Sequence, residues 1–287
     1  MTYQGIDTAA RITAAQARKL RESGVSFVGR YLIPPGYVSA LTPQEIADLR
    51  TAGLAILLCW ELSAEAVKGG AARGAQDGAR ARELAEGFGI PAGTAIYFAC
   101  DYNIPNADLI QAENYIRAAQ TALGKFEAGI YGPLSVVEFL AARSACRKFW
   151  QCVAWSPRFS PDAQLRQYQW QRGAEAMALA QKCGIAAVDL DVCEDLRATG
   201  LWMPGVATYD DGEGGTIVEN TQEQKTPWYA DAMAWAASQG IINDGRPNDF
   251  VTRAELATVL QRFNARIDEK IKLHLPEDDS GGGLISY

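Results

Sequence analysis

The 287-residue chain is 48% hydrophobic and 21% charged, which excludes wholesale disorder and collagen-like repeats and leaves room for one barrel-sized core with a small appendage. Its formal charge of -7 argues against nucleic acid or an anionic membrane surface as the main partner, because neither steers a net-negative chain toward itself. No stretch reaches the roughly 20 unbroken apolar residues of a membrane span, and neither a C-x-x-C pair nor a second histidine beside His274 is present, so no zinc site, histidine-dependent triad or cofactor is expected.

The N-terminus "MTYQGIDTAA" has neither the basic flank nor the apolar stretch of a signal peptide, so synthesis in the cytoplasm and export by another route is expected. From there the chain alternates short β-rich runs with helical segments. The strands are read at "YQGID" (3–7), "SFVGRYL" (26–32), "LAILLCWE" (54–61), "TAIYFACD" (94–101), "EAGIYG" (127–132), "FWQCVAW" (149–155), "LRQYQW" (165–170) and "IAAVDLD" (185–191). Several are continuously apolar, as parallel strands covered on both faces are. Among the helices, "LTPQEIADLRTAGL" has Thr42 as N-cap, Pro43 at the first helical position, Glu45 closing a capping box and Gly53 as the stop. A second runs from Asn106 to Gly124 with Leu109, Ala112, Ile116, Ala119 and Leu123 at helical spacing. The segment between the third and fourth strands is Gly-rich at first, then helical.

Eight strands alternating with helices predict an α/β fold, one parallel sheet closed into a short (β/α)₈ barrel of the TIM type over residues 1–203, with some helices abbreviated. Cys59 and Cys100 sit in apolar runs and read as buried thiols; the pairing of Cys146, Cys152, Cys183 and Cys193 stays open. After Trp202 the composition turns polar, Gly-rich and acidic, which reads as a linker at 204–226. Two helical runs joined by a Gly/Asn/Pro turn follow at 227–266 as a small module, and 267–287 reads as a flexible tail.

In such a barrel the C-terminal strand ends share one rim, where sites are built. Those ends carry Asp7, Arg30, Tyr31, Trp60, Glu61, Asp101, Tyr131, Trp155, Gln169, Asp189 and Asp191, with Tyr102 and Asn103 just beyond the fourth strand. An Asp after a strand is by itself often only a helix cap. Carboxylates on four strands, beside aromatic and amide groups, point instead to a sugar site: rings pack on pyranose faces while polar groups bind hydroxyls. Glycosidic cleavage needs one protonated carboxyl and one that stays charged, and an apolar strand ending in an acid supplies the desolvation that raises a pKa.

The set "GIDT", "FVGRYL", "LLCWE", "IYFACDYN", "GIYG", "QYQW" and "AAVDLD", in this order over residues 3–202, resembles a glycoside-hydrolase-like domain family related to the family-25 lysozymes, which cleave peptidoglycan. The resemblance implies catalytic roles for Asp7, Asp101 and Asp189. The family-25 general acid falls on Asn103, an amide that cannot give up a proton, so Glu61 is read as the replacement acid. "WYADAMAWAASQGII" followed by "FVTRAELATVLQRF" resembles a single S-layer homology repeat, which implies a wall-polymer contact at Arg253 beside Glu255, or self-association through the module. The function expected is a phage- or prophage-type peptidoglycan hydrolase acting at the cell wall without a cofactor; a barrel that binds wall glycan without cutting it is the alternative.

Overall fold

The computed structural model describes residues 2–204. The linker beyond Pro204, the helical module with Arg253 and Glu255, and the tail lie outside the described residues. The strands are β1 (Tyr3–Asp7), β2 (Val25–Tyr31), β3 (Ala55–Trp60), β4 (Ala95–Ala99), β5 (Glu127–Gly132), β6 (Lys148–Gln151), β7 (Leu165–Gln169) and β8 (Asp189–Cys193). The helices are α1 (Ala14–Glu22), α2 (Pro43–Thr51), α3 (Gly70–Gly87), α4 (Leu109–Leu123), α5 (Leu134–Ala142) and α6 (Ala174–Cys183). The strands close into a barrel in chain order. No helix among the described residues is long and apolar enough to cross a membrane.

The sheet departs from the expected parallel pattern at one strand. β1 through β7 are parallel, but β8 runs antiparallel to both β7 and β1. Helix α6 ends at Gly184 in the left-handed conformation. Gly184 O then accepts from Gln16 Nε2 and Ala187 O from the Thr8 hydroxyl just after β1, so the chain crosses at the mouth of the barrel, with Ile185 and Val188 buried. The strand read at 185–191 therefore begins at Asp189 and runs downward. The link from β6 to β7 contains no helix, which is how the barrel is kept short.

Alternation along each strand divides the core into two layers. Phe27, Leu57, Cys59, Tyr97, Tyr131, Trp150 and Leu165 fill the barrel, while Val28, Ile56, Leu58, Trp60, Ile96, Phe98 and Ile130 pack under the helices. The floor is closed by the chain after β8: Gly200 and Trp202 pair with Ala95 and Ile56, the Tyr97 hydroxyl donates to Thr199 O at 2.7 Å, and Leu201 joins the interior cluster. The Gly-rich segment after β3 is helical from its start. Gly74 and Gly78 of α3 lie against the backbone of α4, where a methyl group on Gly78 would come within 2.6 Å of Ala119 O. Asp77, on the same seam, accepts from Tyr115 at 2.6 Å and from Arg73 at 2.8 Å.

Arg30 and Glu45, both fully buried, tie the first two units together. Arg30 Nε donates to Glu45 Oε1 at 2.7 Å, Nη2 to Ser39 O at 3.0 Å, and Nη1 to Thr8 O. Glu45 also accepts from Ile12 N at 2.8 Å. The expected capping box of α2 is consequently half made: Thr42 accepts from Glu45 N, but the Glu45 carboxylate is taken by Arg30 and Ile12. Arg30 thus fixes the residue after Asp7. R30M is expected to lower stability by about 3–5 kcal/mol in urea denaturation, because it strands a buried carboxylate; R30K should recover only part of the loss, lacking the fork that reaches four acceptors.

Candidate active site

At the mouth lies a cavity of about 70 Å³ lined by Asp7, Gly29, Tyr31, Cys59, Glu61, Asp101, Tyr131, Trp150 and Asp189. Each acid arrives by the same device, a continuation of the inward-facing row of its strand. Asp7 follows Gly5 on β1, Glu61 follows Leu57 and Cys59 on β3, and Asp101 follows Tyr97 and Ala99 on β4. Asp189 opens β8 opposite Asp7. The antiparallel course of β8 is what brings it here, since the mouth meets this strand at its start. Room for Asp7 comes from Gly29, where a Cβ would approach Asp7 Cβ at 2.7 Å. The Asp101 N–H donates to Ala64 O at 3.0 Å and so ties the loop carrying Asp101 to the loop carrying Glu61.

The structure brings Asp7, Glu61, Asp101, Asp189, Tyr31 and Tyr131 together and separates the other sequence-predicted residues from them. Arg30 and Trp60 are the outward neighbours of Tyr31 and Glu61, and adjacent strand residues cannot both face the barrel; one is locked on Glu45, the other buried under the helices. Tyr102 turns to Asp108 at 3.2 Å beneath the Lys68 ammonium, and Asn103 is exposed on the loop. Gln169 lies past a register shift in β7, and its carbonyl accepts from Ala176 N at 2.9 Å in the first turn of α6. Asp191 is fully buried one layer below the cavity, where it accepts from Trp150 Nε1 at 2.8 Å, so it does not line the rim. Trp155 is exposed after β6, with a φ of 54°.

Sequence reasoning missed Gln167, Trp150, Gly29 and the cavity-facing side of Cys59. Gln167 is buried and joins three groups: its Nε2 donates to Asp7 Oδ2 at 2.8 Å and to Asp189 Oδ2 at 3.2 Å, while its carbonyl accepts from the Tyr131 hydroxyl at 3.1 Å. A glutamine two residues after the apolar Leu165, on the same face of β7, was the legible signal. All six cysteines are free thiols.

Among the described residues no lysine, arginine or histidine lines the cavity, and the acids respond to one another's charge. Burial, then the charge of Asp189, pushes Asp7 up to about 7 against hydrogen bonds from Gln167 and Asp191. Burial, then the charge of Asp101, pushes Glu61 up to about 7, although the Tyr31 hydroxyl bonds to it. Burial also raises Asp189, to about 6, and raises Asp101. The charge of Asp101 contributes to the rise at Glu61, Asp189 and Asp7, so the cavity sets carboxyls that hold their protons toward neutrality beside one whose own rise has burial as its cause.

Sequence comparison agrees with this architecture. The model of the Rv2525c-like, glycoside hydrolase-like domain matches residues 18–193, more than half of the chain. The chain belongs to the Rv2525c-like glycoside-hydrolase-like family. Beyond that barrel, the S-layer homology domain model matches residues 223–257. The uncharacterized protein YbfG of Bacillus subtilis (strain 168) is 34% identical over 155 residues, covering 47% of this chain and 21% of YbfG; the chain therefore spans about a fifth of that relative. The Tat-secreted protein Rv2525c of Mycobacterium tuberculosis, solved with L-tartrate, superposes with a TM-score of 0.58 at 23% identity over 70% of this chain and 98% of its own. An uncharacterized B. stearothermophilus protein gives 0.51 at 21% identity over 70% and 100%. These two likenesses establish the Rv2525c-like fold.

The raised acids make a signed statement about stability. A carboxyl that ionises near 4 in the unfolded chain but near 7 in the fold binds its proton more tightly when folded, so stability falls as pH rises between those values. D7N removes that penalty. Its stability relative to wild type is expected to be unchanged near pH 4 and to rise by more than about 1 kcal/mol by pH 8, measured by urea denaturation across the pH range.

Proposed function

We propose that the barrel is a glycoside hydrolase acting on the glycan strands of peptidoglycan, with the S-layer homology segment holding it at the cell wall. The observation that carries the reading is the pairing of Glu61 with Asp101 in one cavity. Burial and the charge of Asp101 hold the Glu61 proton to about pH 7, and glycosidic cleavage needs one carboxyl protonated beside one that is charged. Glu61 donates its proton to the departing glycosidic oxygen. Asp101 stabilises the positive charge that builds on the sugar ring, and Asp7 and Asp189, bridged by Gln167, bind hydroxyls at the cavity wall. Tyr31 orients Glu61 through its hydroxyl.

The loops following β2, β6 and β7 add exposed aromatic rings at Tyr37, Trp155 and Trp170, flat apolar partners for a sugar ring. The Arg172 guanidinium lies over the Trp170 ring at 5.5 Å. A wall-targeted route such as a phage-type lysin is the biological setting that the S-layer homology match and the barrel together support.

E61Q keeps the shape of the side chain and removes the proton. It is expected to lower release of reducing ends from peptidoglycan by about 10²–10⁴-fold while leaving wall binding intact. Unchanged release by E61Q would overturn the assignment of the acid. A second reading, a barrel that binds wall glycan without cutting it, draws on Asn103, an exposed amide outside the cavity; pull-down by cell walls with no release by wild type at any pH would favour it. Under either reading W155G, which suits the positive φ, should weaken glycan binding by up to about tenfold without lowering the unfolding midpoint.

A further inference from the structure

Directly beneath the cavity lies a fifth carboxyl group that forms no ion pair among the described residues. Asp191 has no exposed surface. Its Oδ1 accepts from Trp150 Nε1 at 2.8 Å, and its Oδ2 is buried without an N–H or O–H donor from any other residue. Asp191 pairs across the sheet with Gly5 on one side and Gln167 on the other, so it faces inward one step below Asp7. Gly5 leaves its place to the Phe27 ring, and in the inward row beside it the Asp7 and Asp191 carboxyls come into side-chain hydrogen-bond contact. Two carboxylates cannot make that bond unless one of them carries a proton.

Elsewhere the barrel pairs its buried acids with guanidinium groups, Glu45 with Arg30 and Asp77 with Arg73. Around Asp191 the titratable groups are Asp7 on β1, Cys59 on β3, Tyr131 on β5, Tyr168 on β7, and Asp189 and Cys193 on β8. None is cationic. Deep burial without a cation disfavours the charged form.

We propose that Asp191 is a positioning residue that remains a neutral carboxylic acid, accepting from Trp150 through Oδ1 and donating its own proton to Asp7, so that the Asp7 carboxylate is held in one orientation once Asp7 ionises. Burial, then the charge of Asp7, holds Asp191 well above the usual carboxylate range, in the direction the geometry requires. Gln167 completes the arrangement, giving Asp7 a second donor at 2.8 Å. The assignment of the proton stands on the geometry of Asp191 alone; only its consequence for turnover rests on the hydrolase reading.

Asparagine is the side chain that imitates a protonated Asp191, with a carbonyl for Trp150 and an N–H for Asp7. Difference infrared spectra of the full chain at pH 9 are expected to show one protonated carboxyl band that is present in wild type and absent in D191N. D191N should leave the pH at which Asp7 titrates within about half a unit of wild type, whereas D191L, which removes the donor, should raise it by about one unit or more. Where D191L fails to fold, the infrared comparison decides by itself. A wild-type spectrum without a protonated carboxyl at pH 9, or a band that persists in D191N, would overturn the proposal. The infrared result is independent of any glycan cleavage, so a failure of the hydrolase reading and a failure of this one are separately visible.

Discussion

A closed sheet allows each strand only every second side chain inside the barrel, and nearly every feature of the site follows from that restriction. On β2 and β3 the choice falls within adjacent pairs. Tyr31 and Glu61 face inward, so Arg30 and Trp60 must face outward. The outward position of Arg30 makes it structural: it reaches Glu45 and the carbonyl after Asp7, and so fixes from outside the barrel an acid that faces its interior. The inward rows also explain the glycines at positions 5 and 29, which leave space for the Phe27 ring and for Asp7 where a side chain would collide.

The acids depend on one another because the same restriction gathers them without a cation. In water, four carboxyl groups would ionise independently near pH 4. Drawn into one cavity, all four are raised, and Glu61 and Asp7 retain protons toward neutrality. The hydrogen bonds of Gln167 and Tyr31 oppose this trend at Asp7 and Glu61 and determine which oxygen of each acid is engaged. Acid and anion therefore arise from environment, not from residue type, which is why one Glu and one Asp on neighbouring strands can take opposite parts.

Much of this was legible in the chain itself. The positions of seven strands follow from apolar runs bounded by turn residues, and the four catalytic candidates follow from acids ending those runs. What escaped was set by longer-range geometry. The reversal of β8 leaves no local mark in "IAAVDLD", since an apolar run reads the same in either direction. Gln169 looked like the strand-end group of β7, but a register shift hands the inward place to Gln167. Asp191, two residues beyond Asp189, was placed on the rim because a parallel strand would have carried it upward; in the reversed strand it lies deeper. Glu45 matched a capping box by spacing, yet a buried guanidinium competes for a carboxylate more strongly than a backbone N–H at a helix end.

The reversed strand also decides which changes in chain length the barrel can absorb. Asp189 and Asp191 lie on one face of β8, with Leu190 and Val192 on the other, and antiparallel pairing on both sides holds the strand at a single register. Sliding β8 by one residue exchanges the two faces together. Both acids would then turn toward the outside of the barrel, and two aliphatic side chains would enter the end that holds the carboxyl groups. The short crossing from Gly184 to Val188, anchored by the buried Ile185 and Val188, is therefore a segment whose exposed positions are open to drift but whose number of residues is not.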